Sequence, residues 1–353
     1  MNTPASMTAS KRQFVRGELT VPLDLSVKTP RDLAKLLQTA IEVEHSTIPA
    51  YLCALYSIKD GTNQEAAQII KSVVLEEMLH MILAANVLNA IGGPPSINHR
   101  KFVPNYPHPP LFTFEVPLAK FSGPAIDTFI NIESATPPPG YSGTTIPEYY
   151  AAIEEGLKQL NPKGNIFTGP ASHQIIPEYY YGGGGDPILV NNLESALRAL
   201  KEIVGQGEGV HHTFFDGDQE FGEVEEIAHY FRFKEIHYEH YYDLARDKPM
   251  PDSIPTGKPM VVQWEQVYPM RETPKMAQHT EGSEVWRKMH EFNRTYMSLL
   301  NELHAALNGK PQRLMQSVVR MYDLKYQAVE LMKIPVSDGE TAGPSFEYVK
   351  ESD

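Results

Sequence analysis

Apolar residues recur at helical spacing along most of this chain, and where the recurrence fails it marks the connections. From about residue 30 to 58, Leu33, Leu37, Ala40, Ile41, Ile48, Tyr51, Leu52 and Leu55 share one stripe. From 68 to 91, Ile70, Val73, Val74, Met81, Ala84, Val87 and Leu88 repeat it, until Gly92-Gly93-Pro94-Pro95 ends the helix. A third helix, 189–208, turns Leu193, Leu197, Leu200 and Val204 inward, and its glycines at 205 and 207 suggest a π-bulge near the end. A fourth, 219–246, carries Phe233, Ile236 and Leu244. Two further amphipathic helices follow an irregular stretch, at 283–307 and 311–332. Their stripes of Met289, Phe292, Tyr296, Leu299 and Leu303, and of Met315, Val318, Val319, Tyr322 and Tyr326, read as ordinary packing. Residues 96–187, rich in Pro, Tyr and Gly, form a long insertion between the second and third helices, with one helix near 146–160. Its length and aromatic content suggest an ordered cover over a functional site. The expectation is a mainly α protein, a single domain over 1–353 built on a four-helix bundle.

Several polar residues interrupt those stripes. Glu44 lies at the centre of the first one, whereas Glu42 lies about 160° around the helix from it. The Glu42/His45 pair is therefore set aside as surface chemistry, and Glu44 is kept as a carboxylate aimed into the core. Pro49 is expected to interrupt this helix close to Glu44. Glu77 and His80, three residues apart, lie on the inward face of the second helix, where an oxygen and a nitrogen can reach one point. The Glu-x-x-His spacing occurs four times, at 42/45, 77/80, 208/211 and 226/229, where chance supplies about one. Glu226 and His229 open the fourth helix. On the third, Glu208 continues the inward stripe and Glu202 is the fallback. Two Glu-x-x-His pairs on facing helices are what a bundle uses to hold two metal ions. In this reading Glu77 and Glu226 bridge or chelate, His80 and His229 each bind one ion, and Glu44 and Glu208 are terminal ligands. Tyr51, Tyr230 and His240 are candidate supports for them. Carboxylates and imidazoles without thiolates suit iron, two ions, with manganese the alternative.

Composition removes other classes. The net charge of -13, with scattered Lys and Arg, excludes nucleic acid as a partner. Cys53, the one cysteine, cannot form an intramolecular disulfide and reads as a small core residue. The N-terminus has no apolar segment of signal-peptide type, and no uninterrupted apolar run approaches about 20 residues, so the expectation is a cytoplasmic protein without a membrane span. Tyr179-Tyr180-Tyr181-Gly182-Gly183-Gly184-Gly185 is not a phosphate loop, because no Lys-Ser/Thr follows it. It reads as a turn beside packed tyrosines.

Glu44-His45-Ser46-Thr47-Ile48-Pro49-Ala50-Tyr51-Leu52, Glu76-Glu77-Met78-Leu79-His80-Met81, Gln206-Gly207-Glu208-Gly209, His229-Tyr230-Phe231-Arg232-Phe233 and the terminal Thr341-Ala342-Gly343-Pro344-Ser345-Phe346-Glu347-Tyr348 span most of the chain. Together they resemble the ferritin-like domain of the iminophenyl-pyruvate dimer synthase family, which includes enzymes of violacein-type bisindole biosynthesis. The resemblance implies a ferritin-like bundle, the ligand roles given above, and a place in secondary metabolism. The expected activity is a di-iron oxidoreductase that activates O₂ and oxidises a small amine, amino or imino acid, or aromatic substrate. The partners are that small molecule and O₂, with a homo-oligomer left open. The rivals are a non-catalytic iron-storage bundle and a metal-free structural member of the fold.

Overall fold

Thr29 starts the first helix by exchanging hydrogen bonds with Asp32, its hydroxyl accepting from the Asp32 N–H while the Asp32 carboxylate accepts from the Thr29 N–H at 3.0 Å. Pro30 occupies the first helical position, where its missing N–H costs nothing. The computed structural model describes residues 25–110, 112–135, 144–163, 165–180, 183–208, 227–247 and 253–350. Helix α1, Pro30–Ser57, runs unbroken through Pro49, so the predicted interruption does not occur. A short connection through Asn63, whose left-handed backbone turns the chain, leads to α2, Gln64–Ala90. The two pack as an antiparallel pair. The last ten residues of α2, from Met81 to Ala90, are all buried, Asn86 and Asn89 included. The 27-residue length of α2 and the mean hydropathy of 1.4 over an 18-residue stretch of it match a membrane span, yet 89% of that stretch is buried inside the protein.

Among the described residues the insertion holds two α-helices. α3, Gly123–Ile132, begins at Ser122, whose hydroxyl accepts from the Ala125 N–H, and α4, Ile146–Leu160, begins at a Thr145/Glu148 capping box. Both bury apolar faces: Ala125, Ile126, Phe129 and Ile132 from α3, and Tyr149, Tyr150, Ile153 and Leu157 from α4. α4 packs against α1 and against α5, Leu193–Glu208, while α3 packs against α1 and α6, His229–Tyr238. The insertion is thus a wall of the bundle, wedged between the first helix pair and the second.

Two helices sit differently from the sequence expectation. The buried face of α5 runs through Ala196, Ala199, Leu200, Ile203 and Gln206, with Leu200 inward as expected. Leu193, Leu197 and Val204, expected inward, are only half-buried. The two alanines allow a closer approach than leucines would, which rotates the buried face toward Glu202 and Gln206. The helix continues through Gly205 and Gly207 as ordinary α-helix, without the expected π-bulge. α6 ends at Tyr238, because Glu239 is left-handed and the chain then pairs His240 with Pro259. Residues 219–226 lie outside the described ones.

The C-terminal helices, α7, Glu284–Ala306, and α8, Leu314–Leu331, form a hairpin. The α7 stripe is inward as expected, but α8 is not: Leu314, Ser317, Leu324, Ala328 and Leu331 face in. Met315, Val319, Tyr322 and Tyr326 are 41, 55, 64 and 70% exposed. α8 carries apolar residues on two faces, and the leucine face rather than the one with Tyr322 and Tyr326 packs against the protein. After α8 the strands β1, Pro335–Ser337, and β2, Glu340–Thr341, make a small antiparallel ribbon. The segment beyond it plants Phe346 between Phe292 and Tyr296, at 4.9 and 5.2 Å between ring centres.

Candidate metal centre

Glu44, Glu77 and His80 meet at the centre of the bundle, and a second group, Glu77, Glu133 and His229, lies beside it. Within each group the candidate ligand atoms all lie within 4.8 Å of one another, and every one of these residues is buried. Glu77 belongs to both. Glu44 comes from α1, Glu77 and His80 from one turn of α2, and His229 from the first position of α6. Glu133 immediately follows α3.

Each histidine presents the same atom. His80 Nε2 lies 2.8 Å from Gln206 Oε1, and the Gln206 amide nitrogen donates to the Gly184 carbonyl and to Glu202 Oε1, both at 3.0 Å. Those two groups only accept, so the amide orientation is fixed and its oxygen must accept from the His80 N–H. His229 Nε2 donates to Glu76 Oε2 at 2.8 Å, and Arg232 holds the other Glu76 oxygen at 2.6 Å. With Nε2 protonated in both rings, Nδ1 faces the carboxylates. His80 Nδ1 is 3.5 Å from Glu44 and 3.7 Å from Glu77, and His229 Nδ1 is 3.1 Å from Glu77 and 3.6 Å from Glu133. A hydrogen-bonded imidazole with one nitrogen free to coordinate is the usual arrangement of a metal-ligating histidine.

Phenols and a hydroxyl hold the carboxylates. Tyr150 of α4 donates to Glu44 at 2.5 Å, Thr47 to Glu77 at 2.8 Å, and Tyr51 to Glu133. Phe129 and Phe233 pack on the Tyr51 ring at 4.5 and 5.2 Å between ring centres. Burial, and after it the nearby carboxylates, push the Tyr51 and Tyr150 phenols well above their ordinary pKa, so both stay protonated donors.

The electrostatics ask for a cation. Three buried carboxylates face two imidazoles, so even two imidazolium ions leave one negative charge over. Burial first, and then the charge of Glu133, raises Glu77 to about 7. Burial alone would lower His80, but its hydrogen bond to Glu44 and the charges of Glu77 and Glu44 outweigh it, so its pKa rises. His229 is likewise raised well above its ordinary value, with contact to Glu133 and Glu76 overcoming burial. Glu76 remains ionised near 2, since Arg232 and His229 overcome its burial. In the metal-free protein, protons hold the cluster together. Divalent ions replacing them would leave every donor satisfied, so these residues fit a metal centre.

The structure brings together Glu44, Glu77, His80 and His229 of the six residues expected from sequence. Glu226 and the side chain of Glu208 lie outside the described residues. His229 is the first residue of α6, directly after the cap residue Ala228. Glu202 is buried but supports Gln206 and belongs to neither ligand group. His45, set aside as a surface residue, is buried on another side of α1. It stacks on Phe102 and lies 2.6 Å from the Tyr296 hydroxyl, and burial lowers its pKa to about 3. Of the expected supports, Tyr51 is in place. Tyr230 instead packs beside Phe231, and His240 lies beyond the end of α6. Sequence reasoning missed Glu133. The signal was present: Ser122 followed by Pro124 marks a helix start, and Glu133 stands seven residues after Ile126 on the apolar face of that helix.

A ferritin-like protein from Caulobacter vibrioides, known from a crystal structure at 1.95 Å resolution, superposes with a TM-score of 0.61 at 22% identity. The match covers 90% of this chain and 99% of that one and shows a shared fold. Dichlorochromopyrrolate synthase of Lentzea aerocolonigenes is 24% identical over 401 aligned positions, which take in 91% of this chain. Those positions are 36% of that enzyme, so the chain spans about a third of the length of this curated relative. The model of the ferritin-like family matches residues 37–238, the stretch that contains most of α1, all of α2, α5 and α6, and both candidate ligand groups, and the chain belongs to that family.

Proposed function

We propose that this protein is a di-iron carboxylate oxidoreductase that uses O₂ to oxidise a small amine, amino or imino acid, or aromatic substrate. The observation that carries the reading is the pair of buried ligand groups that share Glu77 and each present a histidine Nδ1. Iron bound there would supply the one-electron and two-electron chemistry that lets O₂ oxidise an organic molecule. Glu44 and His80 would hold one ion, Glu133 and His229 the other, and Glu77 both. Glu226 and Glu208 remain candidates for a further carboxylate ligand. The ligand donors are oxygen and nitrogen only, which suits iron or manganese.

The chain's own residues set the conditions for that chemistry. Tyr51, Tyr150 and Thr47 fix the carboxylate oxygens with hydrogen bonds, which limits ligand movement when charge changes at the centre. The surrounding side chains keep the cluster out of water, so its charges interact strongly. A relative named as a dichlorochromopyrrolate synthase supports an enzyme acting on a small organic molecule rather than an iron store.

The test is metal analysis of protein produced with iron supplied, followed by O₂ consumption in the presence and absence of amino acids and aromatic amines. The expected result is two ions per chain and consumption that depends on one class of added molecule. Near-zero bound metal, with Glu77→Ala and His80→Ala leaving the protein unchanged, refutes the reading. Bound iron with substrate-independent O₂ consumption favours storage.

A further inference from the structure

Gly184 and Gly185 of the insertion lie against the outer side of the metal centre. The Gly184 carbonyl accepts from the Gln206 amide nitrogen at 3.0 Å, and that contact helps turn the Gln206 oxygen toward His80. The same residue packs on Glu76, the carboxylate that holds His229. A Cβ at Gly184 would come 2.4 Å from Glu76 Cγ and 3.1 and 3.2 Å from the Glu76 Cα and N, closer than side-chain rotation can relieve. Gly184 and Gly185 also have φ of +81° and +106°, a backbone region open mainly to glycine. Gly185 adds a second fit, since its Cβ would meet Glu202 Oε1 and Leu79 Cδ2 at 3.2 Å.

We propose that Gly184 is a positioning residue for both histidines: its carbonyl orients Gln206 on His80, and its missing side chain leaves Glu76 where it can orient His229. Resting on the metal-centre reading above, the proposal gives the glycine run a role for which sequence supplied only a turn. Both contacts come from one backbone unit, so a single loop sets the tautomer and rotation of both rings. Outer hydrogen-bond partners of metal-ligating histidines typically change metal affinity by about 10–100-fold.

The test uses the full chain stripped of metal and titrated with Co²⁺ alone, reading stoichiometry, affinity and the visible absorption spectrum. The wild-type protein is expected to bind two ions. Gly184→Ala should weaken Co²⁺ binding by about 10–100-fold at one or both positions and shift the spectrum. Gly61→Ala is the control: Gly61 has φ of +82° but nothing within 4 Å of its Cβ position, so the backbone cost is similar and the metal contact absent. It should bind Co²⁺ as the wild type does. If Gly184→Ala does not fold, Gln206→Met decides, because it removes the relay to His80 without touching the loop backbone. Wild-type affinity and spectrum in Gly184→Ala, or in Gln206→Met when that variant decides, overturn this proposal and leave the metal centre standing. A wild-type protein that binds no Co²⁺ overturns both.

Discussion

Loading the centre with metal at pH 6 should release close to three protons. Two carboxylates among Glu44, Glu77 and Glu133 can be balanced by His80 and His229 as imidazolium ions, and the third must then carry a proton. Glu77, raised to about 7, is that residue. Contact with the carboxylates raises both histidines above the ordinary imidazole value, so on the acid side of neutrality they too carry protons. Coordination requires Glu77 ionised and each Nδ1 bare, so three groups must give up protons. Each released proton makes the overall binding constant rise about tenfold per pH unit, or about 1.4 kcal/mol. The product of the two binding constants should therefore climb on the order of 1,000-fold per unit near pH 6. Above pH 7 Glu77 is already ionised in the free protein, and the release falls toward two. Calorimetric titration with Co²⁺ at pH 6 and 8, each in two buffers of different ionisation enthalpy, counts the protons. Release below one proton per chain at pH 6 would refute the charge balance drawn here.

Three other outcomes follow from the same geometry. Glu133→Gln should leave the Glu44/Glu77/His80 group intact and cut affinity for the second ion by at least about 100-fold, reducing the stoichiometry in Co²⁺ titration from two to one. Tyr150→Phe removes the 2.5 Å donor to Glu44 and should cost about 1.5–3 kcal/mol in urea unfolding of the metal-free protein. Glu235 is buried and its pKa is raised to about 7 by that burial, so its stabilising share is complete below about 4.5 and lost as pH rises through 7. Glu235→Gln keeps an acceptor for the Tyr242 N–H and should gain up to about 3 kcal/mol over the wild type at pH 8 but almost nothing at pH 4.5, an effect read by urea unfolding at the two pH values.

The bundle was legible wherever polar residues interrupted a long apolar stripe. Glu44, Glu77 and His80 sit on helices of 28 and 27 residues, long enough for the period to show which face is inward. His229 was found by its spacing from Glu226, and the structure places it at the first position of α6. The third helix misled in part: Leu200 is buried as its stripe suggests, but Ala196 and Ala199 take the places expected of Leu193 and Leu197, and Gln206 rather than a carboxylate is what reaches His80 from it. Glu133 was hidden by its setting: α3 is only 10 residues long and lies in a segment rich in proline and glycine, where too few turns exist for periodicity to stand out. The supporting contacts of Gly184 were beyond reach for another reason. They join residues more than twenty and more than one hundred positions apart in the chain, and no local pattern encodes them.

The central claim is that Glu77 lies between two metal ions, with His80 on one and His229 on the other. Anomalous-scattering maps at the iron edge, from crystals of the iron-loaded protein, test it most directly. The account predicts two peaks flanking the Glu77 carboxylate, one beside each histidine Nδ1. A single peak away from Glu77, or histidines turned to present Nε2, would contradict it.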